Sequence, residues 1–379
     1  MVTITIDYTP AYEQGAGIGR LIRELTHALA TIDTSTQYKL FVAGSREKPL
    51  PAAPGPNFNF RPTSLTPTWL ARIWHRAHLP LPVEVFTGQH DLYHATDFVL
   101  PPTLPHTKTI VTVHDLSFVK VPETASPPLK RYLDDVVPRS LHRADHIIAD
   151  SVATKDDISD VYGITPEKIS VVYGAIQPSF RPIDDPQASQ RVREKYQLGD
   201  RPYLLSVGTV QPRKNYSRII RALATLRKQG HDLQFVIAGG KGWLQDEMYA
   251  TIGETNMSDY VKLIGYADDA DLPVLYSQAA CVAFPTLYEG FGFPILEGMA
   301  CGTPVITSNV SSLPEVAADA AIVVDAYDVE AIADGIHRIL TDSTLREKLI
   351  EAGYKRATEF NWQKSAESLW HVYQQVLNM

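Results

Sequence analysis

The feature that most restricts how this chain can fold is an alternation that runs along it twice. Short runs rich in β-branched residues are each followed by a stretch with helical spacing of its apolar positions. That alternation builds parallel sheets covered by helices, so the class is α/β. The first series predicts strands over 2–6, 38–42, 92–94, 109–113, 146–149 and 169–172. It is closed by QPSFRPIDD, residues 177–185, where proline and polar residues follow a completed strand without opening a helix. The second series predicts strands over 203–207, 234–238, 261–264, 281–284, 305–307 and 321–324. The expected organisation is an N-terminal doubly wound domain over 1–176, a linker over 177–200, and a second doubly wound domain over 201–359 facing the first across a cleft. In the last segment, 360–379, Trp362, Ala366, Leu369, Trp370, Tyr373 and Leu377 recur at helical spacing, which suits a helix strapping back onto the N-terminal domain.

The length of 379 residues is about two and a half times a prior of roughly 150 per domain, in agreement with two domains. Lys and Arg number 35 against 43 Asp and Glu, so the net charge is -8; with no long basic run, a nucleic-acid partner bound through phosphate neutralisation is not expected. The start, MVTITIDYTP, has no basic region ahead of its apolar residues, and no run reaches the roughly 18 apolar residues of a membrane span. A cytoplasmic location is expected. The two cysteines, Cys281 and Cys301, sit in apolar contexts and read as buried thiols rather than a disulfide scaffold or a zinc site.

The densest chemical signal is Glu289-Gly-Phe-Gly-Phe-Pro-Ile-Leu-Glu297, two carboxylates eight positions apart after a predicted strand. A helix beginning near Gly292 or Phe293 would aim its unpaired N–H groups and positive dipole end into the loop, and Gly290 and Gly292 would let a phosphate approach closely. Carboxylates there can accept bonds from sugar hydroxyls; the plainer alternative is a helix-capping loop with surface glutamates. In Ser206-Val-Gly-Thr-Val-Gln-Pro-Arg-Lys-Asn215, Arg213 and Lys214 would stand at the carboxyl edge of a sheet. Arginine makes a forked contact to phosphate oxygens and lysine a point charge, the pair that a departing diphosphate needs; alone, the same turn could be merely solvated.

Other motifs are weaker. Gly15-Ala-Gly-Ile-Gly19 lies too far beyond its strand for a dinucleotide fingerprint, and the second strand lacks an acidic ribose ligand, so a loop leading into a helix near Arg20 is expected. His114, after a strand ending at Val113, should project from a carboxyl edge to donate to a sugar hydroxyl or phosphate, unless it is satisfied within its own domain; His94 raises the same question. Asp269-Ala-Asp271 could hold a metal, but its place before Leu272-Pro predicts a helix N-cap. Over 69–77, Trp69, Leu70, Ile73 and Trp74 share one helical face beside Arg72 and Arg76, which fits a packed helix and leaves open a peripheral membrane contact.

With these residues in view, nearly the whole chain resembles family 4 of the glycosyltransferases, a retaining, metal-independent group built from two facing Rossmann-like domains, the GT-B fold. The matching stretches are Gly15-Ala-Gly-Ile-Gly-Arg20, Val113-His-Asp-Leu116, Asp150-Ser151, Val207-Gly-Thr209 through Lys214, Ala238-Gly-Gly240, Gly265-Tyr266, Glu289 to Glu297, and Phe360-Asn-Trp362. The two spaced glutamates with the upstream Arg-Lys are the specific part. The resemblance implies that Glu289 holds the donor sugar, Glu297 the nucleotide ribose, Arg213 and Lys214 the diphosphate, and that His114 touches the transferred sugar. It places Gly15 and Gly17 near the diphosphate, the backbone at Tyr266 against the base, and Gly208, Gly240, Gly290, Phe291 and Gly292 among the donor-binding residues. The text around His114 and Ala-Gly-Gly-Lys-Gly-Trp243 is most similar to members using GDP-mannose or a related GDP-hexose, with a UDP-sugar as the other option. Many members have a proline near position 326, where this chain reads Asp325-Ala-Tyr327.

The activity implied by the resemblance is that of a retaining hexosyltransferase with no cofactor and no metal. Its donor would be a nucleotide sugar and its acceptor a saccharide or lipid-linked hydroxyl, with the enzyme working in the cytoplasm or peripherally at the inner membrane face. In the front-face route ascribed to this family, the leaving phosphate takes the acceptor's proton, so no protein base is required. A catalytically silent sugar-nucleotide sensor and a nicotinamide-dependent dehydrogenase are the competing readings.

Overall fold

The computed structural model describes residues 1–15, 17–45 and 48–379. The chain divides into two compact units. The first comprises Met1–Leu116, Pro127–Ala175 and Asn361–Met379; the second comprises Ser117–Ser126 and Ile176–Phe360.

The first unit is built on a parallel sheet of β1 (Thr3–Asp7), β2 (Gln37–Ala43), β3 (Phe58–Thr63), β4 (Leu92–Ala95), β5 (Lys108–Val113), β6 (His146–Ala149) and β7 (Ile169–Val171), in the order β3-β2-β1-β4-β5-β6-β7. Of these, β3 has no counterpart among the strands expected from sequence. It contains Pro62 and Arg61 and buries only Phe58, which the sheet tolerates because the strand lies at an edge and pairs on one side alone. The core joins Ile4, Leu40, Leu92 and Ile148 to Ala366, Leu369, Val372, Tyr373 and Val376 of the terminal helix Trp362–Leu377. Asn361 caps that helix by accepting a hydrogen bond from the Lys364 amide.

The segment 69–77 behaves differently from one continuous amphipathic helix. An α-helix, Pro67–Ala71, passes into a π-turn, Arg72–Arg76. Leu70 and Trp74 are buried, whereas Trp69 is 54% exposed and lies under the Arg72 guanidinium. Trp74 Nε1 donates to the Leu81 carbonyl at 2.8 Å.

The second unit repeats the winding. Its parallel strands, β8 (Tyr203–Val207), β9 (Gln234–Ala238), β10 (Val261–Gly265), β11 (Cys281–Phe284), β12 (Val305–Ser308) and β13 (Ile322–Val324), run in the order β10-β9-β8-β11-β12-β13. Residues 117–126, expected from sequence in the first domain, belong here: Val121 packs on Leu287, Tyr288 and Ala326, and Trp243 Nε1 donates to the Thr124 carbonyl at 2.8 Å. The expected linker also contains a helix, Pro186–Lys195, capped by Asp185.

That helix explains why Asp271 is not the side-chain cap its position suggested. The helix Leu272–Ser277 starts at Asp271 with no side-chain cap bond. The buried carboxylate instead accepts hydrogen bonds from Arg191 (3.2 Å), Lys195 and the Tyr196 hydroxyl (2.9 Å). Burial alone would raise its pKa; the bonds from Lys195 and Tyr196 outweigh burial and lower it. Both cysteines are buried free thiols.

Candidate active site

In both units the strand order reverses beside the first strand, and in open α/β sheets ligands gather outside the carboxyl ends at that reversal. In the second unit the reversal lies between β8 and β11, which pair directly through Cys281 with Leu204 and Val282 with Leu205. Residues 75 positions apart in sequence are thereby brought side by side.

After β8 the chain makes a 3-10 turn, Pro212–Lys214, with proline at its start, and leaves through Asn215 in a left-handed conformation (φ 61°) into the helix Tyr216–Lys228. Asparagine tolerates that backbone, and its side chain is put to use. Asn215 Nδ2 donates to the carbonyls of Pro285 (2.8 Å) and Ala326 (2.7 Å), while the Leu287 amide donates to Arg213 O at 2.9 Å. The β11 loop is held from its other side by two serines that no sequence motif marks. The Glu289 amide donates to Ser311 Oγ, and Ser312 Oγ donates to the carbonyls of Glu289 and Phe291, each at 2.9 Å.

These supports present a three-residue ionic centre. Glu289 accepts hydrogen bonds from Arg213 Nη1 on Oε2 at 2.7 Å and from Lys214 Nζ on Oε1 at 2.8 Å; Arg213 also donates to the Tyr288 carbonyl at 2.7 Å. The side chains are 14%, 9% and 9% exposed for Arg213, Lys214 and Glu289, so the charges interact with little screening by water. Burial pushes the Glu289 pKa up, but the two cations overcome it and the carboxyl is held below its ordinary value. The Lys214 ammonium also lies 4.8 Å from the centre of the Phe284 ring. Gly208 makes room for the lysine: a Cβ there would stand 2.9 Å from Lys214 Cε.

The helix Phe293–Ala300 starts at Gly292, whose φ of 108° a residue with a side chain would adopt only under strain, and no side chain caps it. Glu297, 2% exposed, lies within this helix and accepts a hydrogen bond from the Tyr276 hydroxyl at 2.6 Å. The Phe291 ring, beside Gly290, packs edge-on against Phe293 and Phe360. Gly240 follows β9 and accepts from the Val210 amide at 3.0 Å, with open space where a Cβ would be. Tyr266 follows β10 and is 54% exposed. Along one sheet edge, β10-β9-β8-β11, the structure thus orders Tyr266, Gly240, then Gly208 with Arg213 and Lys214, then Glu289.

The other anticipated residues lie in the first unit. Gly17 (φ 58°) begins the helix Ile18–Ile32, and Arg23 braces the preceding loop by donating to the carbonyls of Ala11, Gln14 and Gly15. Ala16 of this motif lies outside the described residues. His114 is 5% exposed and fully engaged: Nδ1 meets Asp150 Oδ2 and Nε2 the Thr96 carbonyl, both at 2.8 Å. Both partners are acceptors, which calls for a proton on each ring nitrogen. Burial opposes the imidazolium, but Asp150 outweighs it and the pKa rises to about 9. The sugar-donor role expected from sequence would require one of these two bonds to open. His94 is likewise satisfied, by the Tyr373 hydroxyl (2.8 Å) and Thr112 Oγ1 (2.7 Å), and burial lowers its pKa to about 3. Among the described residues no group of three or more His, Cys, Asp or Glu side chains could hold a metal ion.

Two doubly wound parallel-sheet units, one carrying paired cations and a glutamate at its strand-order reversal, define a GT-B glycosyltransferase. The family model "Glycosyltransferase Family 4" matches residues 15–180 and "Glycosyl transferases group 1" matches 189–356. O-antigen chain mannosyltransferase B of Escherichia coli is 31% identical over 371 residues, spanning 94% of this chain and 95% of that protein. A D-inositol 3-phosphate glycosyltransferase of Salinispora arenicola is 31% identical over 283 residues, 69% of this chain and 62% of the relative. In structure, the sucrose-phosphate synthase of Thermosynechococcus elongatus superposes over 100% of both chains with a TM-score of 0.74 at 21% identity. The chain belongs to glycosyltransferase family 4. These likenesses do not favour the dehydrogenase or the silent sensor.

Proposed function

We propose that this glycosyltransferase moves mannose from GDP-mannose, with retention of anomeric configuration and without a metal, to a hydroxyl of a saccharide or lipid-linked acceptor. The observation that carries the reading is the pair of buried cations converging on Glu289 at the strand-order reversal. When a sugar nucleotide binds, its diphosphate oxygens take over bonds from Arg213 and Lys214, and the Glu289 carboxylate turns to accept from hydroxyls of the sugar. The edge from β10 to β11 spans three strand spacings, about 14 Å, which accommodates an extended nucleoside diphosphate sugar. In that arrangement the backbone at Tyr266 meets the base, and Glu297, oriented by Tyr276, accepts from the ribose.

As the anomeric C–O bond lengthens, positive charge grows on the sugar and negative charge on the leaving phosphate. Arg213, Lys214 and the positive dipole end of the helix Phe293–Ala300 stabilise the latter, doing electrostatically what a divalent ion does elsewhere. The leaving oxygen accepts the proton of the acceptor hydroxyl as the new glycosidic bond forms on the same face. The mannosyl and GDP assignment rests on the mannosyltransferase relative and on the motif text around His114 and Trp243. A lipid-linked acceptor accords with exposed Trp69 and Leu79 near Arg72 and Arg76, a surface suited to the inner face of a membrane.

The test is thermal shift with GDP, UDP, ADP and dTDP, followed by transfer from the matching sugar nucleotide in excess chelator, with the product's anomeric configuration read by NMR. GDP should stabilise most and the linkage should be retained. Stabilisation by UDP alone overturns the donor, and an inverted product overturns the mechanism.

A further inference from the structure

Beside the ionic centre, but outside it, the second unit holds a pocket of about 460 Å³ that the transfer reaction does not use. The 3-10 turn separates the two sites: Arg213 and Lys214 point to Glu289, whereas Gln211, Pro212 and the residues from Asn215 to Arg218 line the pocket. Glu123, Thr124 and the segment Leu244 to Met248 also line it.

Three features of its lining point to one kind of ligand. The first is a flat apolar platform. Tyr327 is 54% exposed, backed by the Arg218 guanidinium at 4.8 Å from its ring centre, and its loop is anchored through Ala326, whose carbonyl accepts from Asn215. Leu244 also lines the pocket, 50% exposed and held at φ 51°, a costly backbone for a leucine. The second feature is unspent hydrogen-bonding capacity. The side chains of Gln211, Gln245, Asp246 and Glu247 make no hydrogen bond or ion pair among the described residues, nor does the Ser217 hydroxyl, although Ser217 is only 8% exposed. The third is charge: Arg218 against Asp246, Glu247 and Glu123 leaves the lining net negative, which disfavours an anion and supplies carboxylates that accept from hydroxyls.

An aromatic face ringed by amides, carboxylates and a hydroxyl matches a pyranose, whose C–H face is apolar and whose edge carries hydroxyls that both donate and accept. The volume lies within the usual range for small-molecule sites, roughly 300–1,000 Å³, enough for two or three sugar rings in part. We propose that this pocket is a second saccharide subsite, which holds a neutral hexose chain on the nucleotide-binding unit, apart from the donor. It would tether a growing or acceptor glycan through rings remote from the reacting hydroxyl.

The experiment uses the full chain with GDP at saturation, its methionines carrying ¹³C-methyl labels. Met248 lines the pocket, so its methyl resonance reports occupancy directly. Titration with α-linked mannotriose should shift Met248 with a Kd of about 1 mM, and free mannose should bind several-fold more weakly. Tyr327→Ala and Gln245→Ala should each weaken the trisaccharide at least about tenfold, whereas Tyr327→Trp, which keeps the platform, should retain it. GDP affinity should stay unchanged in all three, which separates this subsite from the donor reading. An unmoved Met248 up to roughly 20 mM trisaccharide, equal binding by Tyr327→Ala, or mannose binding as tightly as the trisaccharide each overturns the proposal.

Discussion

Lys214→Met isolates the charge on which the proposed mechanism depends. The lysine stem is packed against Gly208 and its ammonium lies over Phe284, so methionine, similar in length and unbranched, keeps the packing and removes only the cation. Glu289 retains Arg213 at 2.7 Å, so the variant does not leave a buried carboxylate unpaired. A cation about 4 Å from charge growing on the leaving phosphate is worth on the order of 4 kcal/mol at an effective dielectric of 20, before desolvation is subtracted. With Lys214 already desolvated at 8% exposure, a net loss of about 2 to 4 kcal/mol corresponds to a transfer rate roughly thirtyfold to a thousandfold lower. The assay is turnover at saturating sugar nucleotide, with nucleoside diphosphate affinity and thermal midpoint measured on the same preparation. Arg213→Lys should also slow transfer, because the forked contact is lost while the charge stays. If Lys214→Met folds normally and turns over within about threefold of wild type, the cations do not stabilise the leaving group, and the diphosphate must rest on the helix beginning at Phe293.

The same geometry sets further outcomes. Glu289→Gln removes the anion that competes with diphosphate for Arg213 and Lys214, so nucleoside diphosphate affinity should hold or rise while transfer falls about tenfold to a hundredfold; parallel loss of both would refute the exchange of partners. Glu297→Ala should weaken nucleotide binding by about tenfold to a hundredfold in calorimetry, and unchanged affinity would remove the ribose assignment. Asp271→Asn should lower the free energy of unfolding measured in urea by about 1 to 3 kcal/mol without making transfer sensitive to chelator, since this carboxylate anchors Lys195 and Arg191; chelator-sensitive turnover restored by manganese would contradict that role. His114, with a folded pKa raised from 6.5 to about 9, contributes stability that is complete below about pH 6.5 and is lost as pH rises through about 9. The stability difference between wild type and His114→Gln should therefore shrink between pH 7 and 10, and a constant difference would mean that the ring is neutral.

Much of the candidate site is legible in the chain alone. Arg213, Lys214, Glu289 and Glu297 stand out because two cations and two spaced carboxylates follow predicted strands, and strand ends of an α/β sheet are where such groups become useful. Ser311 and Ser312 could not be found in this way. They support Glu289 only because β12 lies beside β11, and a serine pair after a strand has no distinctive pattern of its own. The Asp271 expectation failed for a related reason. A local rule identifies an N-cap, but the stronger partners, Lys195 and Tyr196, come from a helix some 75 residues earlier in the chain. The strand β3 has no such signal because an edge strand that buries only Phe58 needs neither alternation nor the absence of proline.

The periodic order of strands and helices, the α/β class and the chemical types at the strand ends can be read from the chain, because propensity, hydrophobic period and turn chemistry act over a few residues. The tertiary structure alone decided that β8 neighbours β11, and so that Glu289 meets Arg213 and Lys214 rather than solvent. It also decided that His114 is closed within the first unit by Asp150 and Thr96, and that residues 117–126 join the second unit. Those outcomes depend on contacts between distant segments, whose energies are settled by burial and by the need to pair every buried charge, and neither quantity is written in any local stretch of the chain.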